Sequence, residues 1–186
     1  DNVAASPWKV VGSLPGNPRV RPVCAAYNNK VYIWGGFYAN GAESEVHTDG
    51  YSYDVKSGKM CKLSAPRSVE GCEMTLAGGI AWADGRTIYA TGGVNKDIFL
   101  DAISGRYKLV RQTEYLLQPI SWYRFSGNLY RFDAKKGKWL NTTFADKALA
   151  RAGAQVVDTP LGTYYIGGEL KPAVRTPQIV MIEGVR

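Results

Sequence analysis

Histidine and cysteine are scarce in this sequence: His47 stands alone, and there are three cysteines among 186 residues. A single imidazole cannot build a His-rich metal site, and a Ser-His-Asp triad would have to use His47. The odd cysteine count excludes a complete disulfide framework, and no CxxC spacing is present. We expect buried free thiols at Cys24, Cys61 and Cys72, with a Cys61–Cys72 disulfide as the alternative.

Long apolar runs are also missing. No stretch approaches the roughly 20 apolar residues of a membrane span, so we expect no membrane partner. The chain begins at Asp1 and has no signal-peptide pattern, which we interpret as the sign of a mature or trimmed product.

Positive charge is in excess, and the formal net charge is +7. This balance suits an anionic substrate, and it would also suit nucleic acid. The basic residues are scattered rather than arranged in a stripe, and neither a recognition helix nor a nucleic-acid motif is present. We therefore predict no nucleic-acid partner.

Glycine and aromatic residues are abundant, with 21 Gly, 12 Tyr and 5 Trp. Together with the lack of a long helical pattern, they are typical of an all-β chain rich in turns. Three short apolar runs that contain tyrosine end in a glycine pair, at 31–36, 88–93 and 163–168. Each follows a turn signal and an earlier apolar run, so the repeated unit is strand, hairpin, strand, Gly-Gly.

A second repeat lies downstream of the first two glycine pairs. Residues 50–54 and 129–133 share the order aromatic-x-aromatic-Asp, followed by a turn around glycine and a large apolar residue, Met60 or Trp139. This is a second hairpin, and two hairpins make a four-stranded unit. The unit resembles the kelch repeat, which forms one blade of a β-propeller.

The repeats predict a single partial β-propeller domain over residues 1–186. Its parts are an outer strand (6–15), blade one (19–66), blade two (67–146) with an insertion (94–127), and blade three (151–186) without its outer strand. A propeller typically needs 4–8 blades to close, and three blades leave unpaired edges. We therefore expect a second half-propeller chain, either a companion fragment or a homodimer mate that exchanges the outer strand, with a truncated sequence as the third alternative.

One face of the predicted blades carries the irregular loops. In each blade the first strand starts, and the second strand ends, at this face, so the loops after the glycine pairs lie there. The basic residues expected near it are Arg19, Arg21, Arg67 and Arg151.

The loop after the third glycine pair has the most specific sequence. Residues 167–177 read Gly-Gly-Glu-Leu-Lys-Pro-Ala-Val-Arg-Thr-Pro. This closely resembles the Gly-Gly-Glu-x-Lys-Pro-Gly-x-Arg-Thr motif of bacterial N-acetylneuraminate (sialic acid) mutarotases, except that Ala173 stands where the family has Gly. Residues 92–99 and 122–125 also look like that family, in its cyclically permuted branch. The resemblance implies six blades, export to the periplasm, no cofactor, and an acidic sugar substrate whose anomers are interconverted.

The resemblance makes Glu169 and Arg175 the candidate catalytic residues. Mutarotation opens a cyclic hemiketal and closes it on the other face, so a carboxylate can act on the anomeric proton while a guanidinium holds the sugar carboxylate. The weaker substrate-binding candidates are Arg21, Arg67, Asn95 and Arg151. The alternative is that Glu169 and Arg175 form an ordinary loop ion pair and that Asn95 is a turn residue.

Two other functions compete with a mutarotase. A non-catalytic propeller that binds glycans or proteins would have the same sequence, because a Glu-Arg pair can bind an acidic sugar without turnover. A copper oxidase of the kelch type needs a cluster of His and Tyr ligands, which a chain with one histidine cannot supply.

Overall fold

The computed structural model describes residues 8–142 and 144–183. The strands are β1 (Val23–Tyr27), β2 (Lys30–Trp34), β3 (Phe37–Tyr38), β4 (Glu45–Val46), β5 (Gly50–Asp54), β6 (Met60–Leu63), β7 (Gly79–Asp84), β8 (Thr87–Gly92), β9 (Leu129–Asp133), β10 (Lys138–Trp139), β11 (Gln155–Thr159), β12 (Gly162–Ile166), β13 (Glu169–Lys171), β14 (Val174–Arg175) and β15 (Ile179–Ile182). The helices are α1 (Lys96–Ile103), α2 (Gln112–Tyr115) and the short 3-10 helices Gly41–Glu43, Ile120–Tyr123 and Lys147–Leu149.

The strands form three main antiparallel sheets, which confirms the predicted all-β fold. The first sheet has the order β1-β2-β5-β6 and the second has the order β7-β8-β9-β10. The third has three strands within the described residues, in the order β11-β12-β15. Two-stranded ribbons, β3-β4 and β13-β14, follow the first and third glycine pairs. The insertion after the second pair forms α1, α2 and a 3-10 helix instead.

Residues 8–15 form no strand in the part of the chain that the structure describes. The Trp8 and Val10 side chains are 86% and 88% exposed, and the Tyr53 hydroxyl donates to the Val11 carbonyl oxygen at 3.3 Å. The Tyr53 contact places this segment beside the first sheet. Its role as the outer strand of another blade stays a prediction. Residues 6 and 7 of the predicted outer strand, residue 143 of blade two and residues 184–186 of blade three lie outside the described residues.

The hairpin turns have the chemistry that the repeats predicted. Asn28 and Asn29 both have positive φ, at 47° and 59°, as a type I′ turn requires. Asp54 and Asp133 each accept two backbone hydrogen bonds in the turn that follows them, at 2.9 to 3.1 Å. These carboxylates set the turns, as expected for Asp at this position.

Aromatic side chains fill the spaces between neighbouring sheets. Trp34 from the first sheet packs edge-on against Phe132 of the second, with ring centroids 4.8 Å apart. Tyr89 of the second sheet and Tyr165 of the third belong to another buried cluster. The repeated residues Trp34, Tyr89 and Tyr165 are therefore packing residues. The expectation of buried thiols is wrong, because all three cysteines are free but exposed.

The glycine pairs allow neighbouring sheets to approach closely. A Cβ on Gly35 would lie 2.9 Å from the backbone of Leu76 and Ala77 at the start of the next repeat. A Cβ on Gly92 would lie 2.6 Å from the carbonyl oxygen of Arg151. Both glycines also have positive φ, which other residues adopt only with strain. The repeated glycine pair is thus required by the close packing of neighbouring sheets as well as by the conformation of the turn.

Candidate functional site

The three repeats share a backbone bridge that aligns their residues. Val20 pairs with Phe37 and Ala152 pairs with Glu169 in isolated antiparallel bridges. In the second repeat, the Val94 amide donates to the Ala77 carbonyl oxygen at 3.0 Å. In each case the partner lies seventeen positions before the residue that follows the glycine pair (20 and 37, 77 and 94, 152 and 169). Glu169 therefore occupies the position at which the other repeats have the apolar residues Phe37 and Val94.

Glu169 is fixed by the register of the β13-β14 ribbon. It lies directly opposite Arg175, and its backbone exchanges two hydrogen bonds with Ala152, at 2.7 and 2.9 Å. Arg175 Nη2 lies 3.0 Å from Glu169 Oε1. The Glu169 side chain is 33% exposed and that of Arg175 is 73% exposed. The predicted catalytic residues thus form an ion pair with one partly buried and one accessible partner.

Arg21 has an unusual backbone conformation for a residue with a side chain. Its φ is 54°, and the equivalent residues in the other repeats are Gly78 and Gly153, with φ of 74° and 65°. A residue other than glycine at such an angle is uncommon and strained. A Cβ on Gly153 would lie 3.2 Å from Arg21 Nη1, so the guanidinium extends across the start of the third repeat.

These residues line one cleft of about 410 Å³. Arg21, Glu169 and Arg175 contribute its charged groups. Phe37, Phe99 and Phe125 contribute aromatic rings to the same lining. A size of roughly 300–1,000 Å³, with apolar walls and a few converging polar groups, is usual for small-molecule sites.

Arg151 holds a loop and does not line this cleft. Its side chain is fully buried, at 1% exposure. It donates to the Gly167 carbonyl oxygen at 3.0 Å and to Gln178 Oε1 at 3.1 Å, and it stacks over the Tyr165 ring. A guanidinium with these partners cannot also reach a sugar, so we assign Arg151 to the structure of the loop and not to substrate binding.

Arg67 also lies away from Glu169. It donates to the Gly71 carbonyl oxygen at 2.7 Å and pairs with Glu73 at 3.1 Å, and it lines a different groove beside Trp139. The placement of Arg67 at the loop face assumed that the first strand of its blade begins there. That strand begins only at Gly79, twelve residues later, so Arg67 does not join the cleft.

Asn95 caps α1, as the alternative interpretation of this residue expected. Its Oδ1 accepts hydrogen bonds from the amides of Asp97 and Ile98, both at 3.1 Å. An N-cap side chain satisfies amides that have no partner within the helix. Asn95 therefore positions the insertion rather than lining the cleft.

Comparison with known proteins identifies the family. The family model for N-acetylneuraminate epimerase matches residues 2–184. The chain belongs to this family. Among its relatives is the N-acetylneuraminate epimerase of Pasteurella multocida (strain Pm70), which is 30% identical over 182 residues, covering 91% of this chain and 46% of the relative. N-acetylneuraminate epimerase 1 of Escherichia coli O6:H1 is 26% identical over 187 residues, covering 94% of this chain and 48% of the relative.

A solved structure supports the same assignment. The structure of YjhT superimposes with a TM-score of 0.79 at 26% identity, and the match covers 96% of this chain and 52% of that chain. The 186-residue chain thus spans about half the length of the family members that it matches.

One residue departs from the motif of the N-acetylneuraminate epimerase family. Ala173, where that motif has Gly, adopts a positive φ of 67° in the turn between β13 and β14. The left-handed conformation costs an L-residue about 1–2 kcal/mol. The turn thus keeps the conformation that suits glycine, although the Ala173 side chain makes this conformation less favourable.

Lys171 connects the β13-β14 ribbon to the insertion, a role that sequence reasoning missed. Its ammonium donates to the carbonyl oxygens of Leu116 and Gln118, at 2.9 and 2.7 Å, and lies 5.7 Å from the centre of the Tyr123 ring. Leu116 is the C-cap residue of α2, so Lys171 binds a carbonyl oxygen at the end of that helix. The signal was available, because Lys171 is itself part of the family motif.

The described residues contain no group of three His, Cys, Asp or Glu side chains that could hold a metal ion. Across 8–142 and 144–183, no helix combines the length and the apolar character that a membrane span needs.

Proposed function

We propose that the cleft is part of the active site of a cofactor-independent mutarotase. The substrate is N-acetylneuraminate or a related acidic sugar, whose anomers are interconverted by general acid/base catalysis. The observation that carries this proposal is the Glu169–Arg175 pair in the lining of a cleft of small-molecule size. Glu169 stands there in place of an apolar residue of the other repeats. The names of the relatives supply the sugar.

The chemistry requires one carboxylate and a means to hold an acidic sugar. Glu169 removes the proton from the anomeric hydroxyl while the bond between the anomeric carbon and the ring oxygen breaks. The electron pair of that bond goes to the ring oxygen, which takes up the proton from the Glu169 carboxyl group. Both oxygens are bonded to the same carbon, so one carboxyl group reaches both. The open-chain ketone then rotates, and the reverse steps close the ring on its other face.

Arg175 and Arg21 provide the positive charge for the sugar carboxylate. A guanidinium forms paired hydrogen bonds with a carboxylate, which fixes its orientation better than an ammonium does. Arg175 is exposed enough to bind a ligand while it contacts Glu169. Arg21 occupies a strained position that the other repeats give to glycine. Such strain is typical of residues retained for function.

We also propose that the three sheets are three blades of a six-bladed kelch propeller. Backbone hydrogen bonds link equivalent residues of successive sheets, from the Gly78 amide to the Arg21 carbonyl oxygen (3.1 Å) and from the Gly153 amide to the Gly78 carbonyl oxygen (2.7 Å). Gly35 and Gly92 press against the next sheet, whereas the nearest atom to a Cβ on Gly167 is 3.6 Å away in its own loop. Among the residues that the structure describes, no other sheet contacts Gly167, so the third sheet offers the next blade the same contact.

The remaining blades would come from a companion fragment, from a second copy of this chain, or from further residues of the same protein. The position of β15 supports such a neighbour, because this strand is at the edge of its sheet within the described residues. Its Ile179 and Met181 residues are also 65% and 44% exposed. A sheet edge of this kind can accept another strand. The periplasmic location implied by the sequence resemblance belongs to the same proposal, and cell fractionation would test it.

The test is the exchange of N-acetylneuraminate anomers, followed by proton NMR with the complete propeller. We expect exchange faster than in buffer, and a loss of at least about 100-fold in the catalysed rate for Glu169→Gln, the range usual for removal of a general base. Glu73→Gln is the matched control, because Glu73 also forms an ion pair with an arginine at 3.1 Å but lies outside the cleft.

The same experiment separates the competing function. A complete propeller that binds the sugar without accelerating exchange would be a glycan-binding module, and the mutarotase proposal would then be wrong. Equal loss of activity in Glu169→Gln and Glu73→Gln would show that the variants act through stability and not through chemistry.

A further inference from the structure

We propose that Phe37, Phe99 and Phe125 form an apolar subsite that receives the methyl group of the 5-acetamido substituent and sets the preference for N-acetylated sugars. The inference rests on the proposed function, because it names the part of the substrate that the second wall of the same cleft binds. The charged residues would take the carboxylate and the anomeric centre, and the three rings would take the acyl group.

The three rings come together from separate parts of the chain. Phe37 follows the first glycine pair, Phe99 lies on α1, and Phe125 ends the insertion. Phe37 and Phe99 pack edge to face with their centroids 4.9 Å apart. All three cover a small buried cluster made of Val46, Ala77, Val94 and Ala152.

These three rings remain partly accessible, unlike the buried aromatic residues between the first two sheets. Trp34 and Phe132 are fully buried, whereas Phe37, Phe99 and Phe125 are half-buried and face the cleft that holds Glu169. Leaving apolar rings beside a water-filled cleft forgoes burial that would stabilise the fold. A ligand that covers the rings would recover this stabilisation. The accessible rings therefore point to an apolar group on the substrate.

The acidic sugar has one methyl group to offer. Its carboxylate and anomeric hydroxyl are at one end of the ring, and the acetamido group is across the ring from them. The remaining substituents, a ring hydroxyl and a trihydroxypropyl chain, are polar. A single cleft lined by both charged and aromatic side chains suits these two kinds of group. A missing methyl-sized group in an apolar pocket typically lowers specificity about 10- to 200-fold.

The insertion supplies two of the three rings and is itself held in place. Asn95 caps α1, and the Phe99 amide donates to the Asn95 carbonyl oxygen at 3.0 Å. The other repeats have two-stranded ribbons after their glycine pairs. The insertion therefore adds specificity to a face whose charged groups come from the first and third repeats.

The test compares N-acetylneuraminate with its 5-hydroxy analogue, which lacks the acetamido group. In the complete propeller we expect kcat/KM for exchange to be at least about tenfold higher for the acetamido sugar. Phe99→Ala should reduce that ratio about tenfold while changing the rate with the 5-hydroxy sugar less than about threefold. Phe99→Leu, which keeps the apolar surface and guards against misfolding, should retain most of the preference. Phe144→Ala, an exposed phenylalanine outside the cleft, should leave the ratio unchanged.

Saturation-transfer NMR on N-acetylneuraminate gives a readout that does not need turnover. The acetamido methyl should receive the strongest saturation from the protein, and less in Phe99→Ala. Equal loss of rate with both sugars, or a methyl signal that Phe99→Ala does not change, would overturn the subsite. A protein without turnover whose methyl signal still depends on Phe99 would refute the mutarotase and keep the subsite.

Discussion

The first and third repeats each begin with a buried arginine, whereas the second has a leucine there. Arg19 and Arg151 lie sixteen positions before the first glycine of their pairs (19 and 35, 151 and 167), and each donates to the carbonyl oxygen of that glycine at 3.0 Å. A second nitrogen of each guanidinium binds a side chain across the loop, Asp49 or Gln178. Leu76 occupies the same place in the second repeat and is fully buried.

Whether the repeat has arginine or leucine at this position is related to the loop after its glycine pair. In the first and third repeats, a short loop returns to the sheet near the glycine pair, and the arginine joins the two loop ends. In the second repeat, the insertion separates Gly93 from Asn128, and the Thr91 hydroxyl instead donates to the Asn128 carbonyl oxygen at 2.9 Å. A conspicuous arginine at the loop face can thus be a structural residue, and its burial distinguishes it from the accessible Arg21.

The largest expected effect tests the contact between sheets. Gly92→Ala should lower the free energy of unfolding by about 4 kcal/mol, because it adds left-handed strain to a clash with the Arg151 carbonyl oxygen. Gly167→Ala, which has the same backbone strain but no neighbouring sheet in the described residues, should cost about 1–2 kcal/mol. Urea unfolding measures both. Equal losses would contradict the assignment of Gly92 to sheet packing.

Arg151→Leu tests the comparison between the repeats directly. It gives the third repeat the leucine that the second repeat has at the equivalent position, Leu76. We expect a loss of about 2–3 kcal/mol in urea unfolding, because hydrogen bonds to the Gly167 and Gln178 oxygens disappear in a buried site. Arg21→Leu, which keeps the backbone strain and changes an exposed side chain, should change stability by less than about 0.5 kcal/mol. If Arg151→Leu were as mild as its control, the arginine would not be needed to hold the loop.

Arg21→Gly should act in the opposite direction on stability. Relief of the positive φ should raise the free energy of unfolding by about 1 kcal/mol. Under the proposed function it should also raise the KM for the acidic sugar, because a cation of the cleft is lost. Thermal unfolding and exchange kinetics, measured on one preparation, would test the expected rise in stability and the expected rise in KM. A less stable variant would show that the Arg21 side chain contributes more to packing than its backbone costs.

The smallest expected effect is a pH dependence of stability, which arises from His47 in the first repeat. Burial, and then the nearby Arg19 charge, lower the pKa of the His47 imidazole below its usual value, against the opposing influence of Glu45 and Asp49. At pH values between the pKa of His47 in the folded chain and that in the unfolded chain, the imidazole is protonated only in the unfolded chain. Stability is therefore complete above about pH 6.5 and falls as the pH drops below that value, before the carboxylates titrate.

His47→Gln should flatten the dependence of stability on pH just below about pH 6.5, as measured by urea unfolding at several pH values. The equivalent residues of the other repeats, Ser126 and Thr176, do not titrate; like His47, each donates its amide to the second glycine of the preceding pair. An unchanged slope would mean that another group titrates in this range.

The local units and the family motif could be predicted from the sequence alone. Tight turns and strand alternation depend on neighbouring residues, so the hairpins at Asn28 and at Asp54 were evident, and so was the Glu169–Arg175 segment. Gly78, by contrast, precedes the hairpin of its repeat and does not match the repeated glycine pairs in position, although it is the second-repeat equivalent of Arg21 and links two sheets.

What each arginine does depends on the tertiary structure. Arg21, Arg67 and Arg151 look alike in sequence, but one lines the cleft, one lies in a separate groove and one is buried in a loop. Burial and hydrogen-bond partners are set by residues far away in the chain, which spacing cannot supply. The cleft itself was hidden for the same reason, since its charged and aromatic walls meet only when all three repeats pack together.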